Sequence, residues 1–113
     1  MIDVPRQRFE ELVANALDGI PEELGKYMDN VAVFVEDVPP ESRLLGLYQG
    51  VPLTARGTSY SGTMPDRISI YRNTICAISN NEDEVVEQVR RTVIHEVAHH
   101  FGISDPRLRE LGW

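Results

Sequence analysis

Residues 95–105 read His95-Glu96-Val97-Ala98-His99-His100-Phe101-Gly102-Ile103-Ser104-Asp105. Every histidine of the chain lies in this stretch. His95, Glu96 and His99 form H-E-x-x-H, and the full pattern is H-E-x-x-H-x-x-G-x-x-D. Upstream, Val85, Val86, Val89, Val93, Ile94, Val97, Ala98 and Phe101 are the apolar positions. They predict one helix, entered at Asn80-Asn81 as N-cap and acidic Glu82, Asp83 and Glu84. The apolar positions spread over much of the circumference, so this helix is expected to be central and largely buried. Gly102 is its natural stop.

On such a helix, residues four apart differ by about 40° in azimuth and about 6 Å in height. The rings of His95 and His99 can therefore converge on one ion. Glu96 lies about 100° around from His95, better placed to reach a water on that ion than to bind it. This is the division of labour of metal-assisted hydrolysis, in which the metal acidifies a water and the carboxylate takes its proton. Catalytic zinc takes three protein ligands and keeps one open position. Gly102, in a left-handed conformation, would bend the chain back and let Asp105 supply the third ligand.

H-E-x-x-H alone arises by chance in about 0.3% of 100-residue domains at average composition, and the added Gly and Asp cut this by about a hundredfold. Polar His95, Glu96 and His99 amid valines also lack a structural excuse, because buried charge is costly unless paired or metal-bound. Asp105 carries a competing reading. Asp105-Pro106 suits a helix start, with Asp as N-cap and Pro in the first turn. His100, about 140° from His95, reads as a packing or surface residue.

Outward from the motif, residues 5–18 predict an amphipathic helix through Phe9, Leu12, Val13, Ala16 and Leu17. A second, short helix is expected at 22–28. Val31-Ala32-Val33-Phe34-Val35 predicts a buried strand and Leu44–Tyr48 a weaker one. Residues 54–65 read as a loop. Residues 66–72 alternate polar and apolar, which predicts a strand with one wet face. Residues 75–78 fit a short strand or a turn, and Asp105-Pro106 opens a last short turn through Arg107 to Leu111. Ile75-Cys76-Ala77 makes the lone cysteine a small buried residue.

The 113 residues are read as one domain, 1–113. Eighteen acidic residues against 11 basic ones, net −7, argue against nucleic acid and anionic membrane as partners. No apolar run approaches the roughly 20 residues of a membrane span. No leader signature is visible at Met1-Ile2-Asp3-Val4-Pro5. A cytoplasmic location is expected.

The segment His95–Asp105 resembles the zincin metallopeptidases, in the metzincin-like form with Asp as third ligand. The helix ending in His-His-Phe-Gly-Ile-Ser-Asp and the short chain are similar to the bacterial mini-zincins. The likeness reaches loosely back through residues 65–72. The resemblance implies one zinc ion on His95, His99 and Asp105, with Glu96 as the catalytic base. It also implies an α+β fold, a small mixed sheet packed on the long motif helix with N-terminal helices beside it. The chain departs from the metzincin pattern in having no methionine after Asp105. Tyr48, Tyr60 and Tyr71 are candidate oxyanion donors, with packing as the default for each.

Two functions follow. One is a zinc-dependent peptidase acting on a peptide or protein. The other is a non-catalytic zinc- or partner-binding module. With no room for a second subdomain, substrate binding is expected from an edge strand such as 66–72, from the 54–65 loop as a lid, or from a partner chain completing the cleft.

Overall fold

A computed structural model of the chain describes residues 1–50 and 65–113. The expected 54–65 loop lies, but for Pro65, outside the described residues. Helix α1 spans Arg6–Asp18 and buries Phe9, Leu12, Val13 and Ala16. Helix α2 is Glu22–Gly25, continued by a tighter 3₁₀ turn over Lys26–Met28 in place of one α-helix to residue 28. Strands follow at Val31–Glu36 (β1), Gly46–Gln49 (β2) and Asp66–Tyr71 (β3). Helices α3 (Arg72–Ala77), α4 (Glu82–His100) and α5 (Asp105–Leu111) complete the order. Among the described residues no helix is long and apolar enough to cross a membrane.

The sheet order is β1-β3-β2, with β1 parallel and β2 antiparallel to β3. This is the expected α+β arrangement, a small mixed sheet against a long helix. Ile68 and Ile70 of β3 are fully buried and share one core with Val85, Val89, Val93, Ile94, Val97 and Ala98 of α4. Asn81 caps α4, its side chain accepting from the Glu84 N–H at 2.8 Å.

Three expectations are corrected. Strand 66–71 is the centre of the sheet, with β1 and β2 on its two sides, so it offers no open edge to a substrate. The apolar run 31–35 is an outer strand, only partly buried, with Phe34 43% exposed. Arg67 lies over the Phe34 ring at 4.2 Å, which gives that aromatic a reason to face out. Residues 72–77 are helical where a strand or turn was expected near 75–78. Tertiary bonds hold that first turn. Arg72 donates to Asp37 Oδ1 and to the Val4 carbonyl at 2.8 and 2.7 Å, and the Asn73 N–H donates to the Asp37 carbonyl. Fixing the turn this way buries Ile75 and Cys76, and such context overrides a weak local β-propensity.

Candidate metal centre

The last two turns of α4 carry His95, Glu96 and His99, with His100 as the final residue. Gly102 follows with φ +80, and nothing lies within 4 Å of where a Cβ would stand. The glycine is thus needed for its left-handed backbone, not for space. The Ile103 N–H closes the bend onto the Ala98 carbonyl at 2.8 Å. The N-cap of α5 is Ser104, whose hydroxyl accepts from the Arg107 N–H, and Asp105 is the first helical residue. The competing reading of Asp105 as N-cap is therefore set aside, and its carboxylate is free for other work.

That carboxylate turns back to the motif. Asp105 Oδ1 lies 2.8 Å from His99 Nε2. The hydrogen bond from His99 is the main force holding the Asp105 carboxyl below the usual range. The His95 and His99 rings are 5.9 Å apart between centroids, tilted by 54°. Both His99 and Asp105 side chains are about half exposed.

His95 lies between two clefts. One is lined by His95 and Glu96 with Gly46, Thr92, Arg91 and Arg43. The other is lined by His95 and Asp105 with Arg91, Arg109 and Trp113. Glu96 is half-buried, and its Oε1 accepts the backbone N–H of Tyr48 on β2 at 3.1 Å. The structure therefore brings His99 and Asp105 into contact, keeps His95 beside them, and holds Glu96 against the outer strand β2. Among the described residues, no three His, Cys, Asp or Glu side chains close on a single point at metal-binding distance.

The donor types suit a zinc ion, and the two separations available, His99 to Asp105 and His95 to His99, come near what one ion asks. Two donors on one tetrahedral zinc lie about 3.3 Å apart, and two ligating imidazoles have centroids about 5 Å apart. The His99–Asp105 contact of 2.8 Å and the ring separation of 5.9 Å each differ from those values by under about 1 Å. Two imidazole nitrogens and one carboxylate oxygen are also the donor types of open catalytic zinc sites.

Two side features were not legible in the motif. The Tyr48 N–H is a main-chain donor and leaves no residue signature. Gly46 on β2 sits so close to α4 that a Cβ there would meet Thr92 Cγ2 at 2.6 Å. Of the candidate oxyanion donors, Tyr71 is 2% exposed and belongs to the interior. Burial is the main cause that pushes its phenol pKa up. The Tyr48 hydroxyl donates to Asp66 Oδ2 at 2.8 Å. Tyr60 lies outside the described residues. His100 is exposed and stacks on the Tyr48 ring at 3.9 Å, the packing role expected of it.

The fold has a counterpart in a solved structure, a conserved hypothetical protein from Thermo thermophilus. It is 24% identical, with a TM-score of 0.59 over 87% of this chain and 94% of that one, so the likeness is one of fold. No curated protein matches the chain. A family model described as zincin-like metallopeptidase matches residues 28–113, which take in the whole sheet, the motif helix and the bend to α5. The chain belongs to the zincin-like metallopeptidase family.

Proposed function

We propose that the protein is a zinc-dependent peptidase in which His95, His99 and Asp105 hold one ion and Glu96 is the general base. The observation that carries this reading is the 2.8 Å meeting of His99 and Asp105 across the Gly102 bend, beside His95. A bound zinc would supply a Lewis acid for the substrate carbonyl and an acidified water. Glu96 takes the proton of the attacking water on its carboxylate and passes it to the leaving amine. The Tyr48 N–H keeps Glu96 Oε1 oriented. Because β3 is internal among the described strands, β2, whose Tyr48 N–H meets Glu96, is the strand beside which a peptide would lie.

The proposed unit acts as one domain on a peptide or protein, in the cytoplasm, and a partner chain can complete the open side of the cleft. The alternative is a non-catalytic zinc- or partner-binding module, and the half-exposed His99–Asp105 pair is the observation on its side. Hydrolysis of a mixed peptide pool by zinc-loaded protein separates the two. Glu96→Gln should lower the rate by about 10²–10⁴ while retaining zinc. Equal rates for the parent and Glu96→Gln would remove the glutamate from the mechanism.

A further inference from the structure

The chain carries net charge −7, yet it places three arginines that form no ion pair among the described residues around one spot. Among the described residues, Arg6, Arg8, Arg67, Arg72, Arg90 and Arg107 each form an ion pair with a carboxylate. Arg43, Arg91 and Arg109 form none, and all three line the two clefts that flank His95. Arg43 belongs to the Glu96 cleft, Arg109 to the Asp105 cleft, and Arg91 to both. Arg91 stands one helical turn before His95 on the same face of α4. All three side chains are exposed and open to a ligand.

Arg43 adds a second signal. Its φ is +76, and no other non-glycine among the described residues has a positive φ. It is the third residue of a turn in which the Leu44 N–H meets the Glu41 carbonyl at 3.5 Å. Glycine or asparagine is the usual choice there, so an arginine held in that conformation is a costly position.

The carboxylates of the clefts are already engaged. Glu96 accepts from Tyr48, and Asp105 contacts His99. Among the described residues the three guanidinium groups make no ion pair, Arg109 and Arg91 acting on Asp105 and Glu87 only through space, and the three present positive charge on both sides of His95. A net charge of −7 disfavours anions in general, so three arginines at one spot stand out against it.

Resting on the peptidase reading, we propose that the cleft selects acidic peptides, with carboxylates within a few residues on either side of the bond presented at His95. Arg91 and Arg43 take the group on the Glu96 side, and Arg91 and Arg109 the group on the Asp105 side. Guanidinium geometry suits this, because its fork matches the two oxygens of a carboxylate.

The test is a binding measurement, so it does not depend on turnover. Glu96→Gln protein, with and without zinc, is titrated with dansyl peptides whose ends are blocked and which carry either Asp and Glu or Asn and Gln. Energy transfer from Trp113, the one tryptophan and a lining residue of the Asp105 cleft, reports binding. The acidic peptide should bind at least about tenfold tighter at low salt, and the ratio should shrink as salt rises. Arg43→Gln, Arg91→Gln and Arg109→Gln should each cut the ratio by up to about fivefold, the reach of an exposed ion pair. Arg107→Gln should leave it unchanged, since Arg107 is paired with Glu110 and lines neither cleft. An Asn/Gln peptide with a free C-terminal carboxylate forms a further arm. Tight binding of that peptide assigns the recognised carboxylate to a chain end, and weak binding assigns it to side chains. Equal affinity for acidic and amide peptides overturns the proposal, as does an Arg107→Gln loss as large as that of Arg91→Gln. Binding preference without hydrolysis in the parent protein would leave the selection intact and remove the peptidase reading, so the two failures are separable.

Discussion

His99 Nε2 and Asp105 Oδ1 lie 2.8 Å apart on opposite sides of the bend that Gly102 makes with φ +80. Removing the carboxylate should therefore weaken zinc binding without disturbing the fold. Asp105→Ala leaves Ser104 as the N-cap of α5, so stability should change by under about 0.5 kcal/mol, as for an ordinary surface substitution. Zinc affinity by chelator competition should fall at least as far as the roughly 10–100-fold seen when an outer-shell partner is lost. Unchanged affinity would remove Asp105 from the ligand set.

Gly46 sets the distance between β2 and the motif helix. Gly46→Ala brings a Cβ to 2.6 Å from Thr92 Cγ2 and 3.0 Å from the Ser69 carbonyl, so the strand must move outward. Overpacking of this kind costs about 1–3 kcal/mol, readable as a lower urea midpoint. The same shift pulls the Tyr48 N–H away from Glu96, so peptide hydrolysis should fall by more than zinc binding does. Adding Thr92→Ser deletes the clashing methyl and should restore part of both losses, a coupling that a double-mutant cycle measures.

At Arg43 stability and recognition should move in opposite directions. Arg43→Gly relieves a left-handed conformation that costs an L-residue roughly 1–2 kcal/mol, less what glycine loses in chain entropy. A net gain of up to about 1 kcal/mol is expected in chemical denaturation. The preference for acidic peptides should drop in the same variant.

Asp37 makes acid stability directional. The hydrogen bond from Arg72 is the main cause that holds the Asp37 carboxyl below the usual carboxylate range. The folded state therefore binds this proton less readily than the unfolded chain. The contribution is complete above the ordinary Asp value near about 3.9, and is lost as pH falls through the lower folded value. Asp37→Asn should lower the urea midpoint at neutral pH and flatten its decline between about pH 4 and 2. Parallel pH curves for variant and parent would show that the pair contributes nothing.

The motif helix was legible because its signals are local. Asn81 caps it, the acidic first turn follows, valines repeat at helical spacing, and Gly102 stops it. Residues 72–77 were not legible in the same way. Ile75 and Ile78 argue for a strand, but the bonds that Arg72 and Asn73 make to Val4 and Asp37 come from parts of the chain 35 or more residues away. The run Val31–Val35 looked internal because apolar content does not say which strand lies at an edge.

The sequence by itself determined the long helix, the bend after it and the donor types that the bend returns to the helix, since each depends on spacing within a few residues. Only the tertiary structure decided that β3 is central, that β2 approaches α4 at Gly46, and that the Tyr48 N–H meets Glu96. It also decided which arginines among the described residues form no ion pair, and that they line the clefts at His95. The physical reason is that strand order, close approach and ion pairing are settled between residues distant in the chain, through packing and hydrogen bonds that no local pattern encodes.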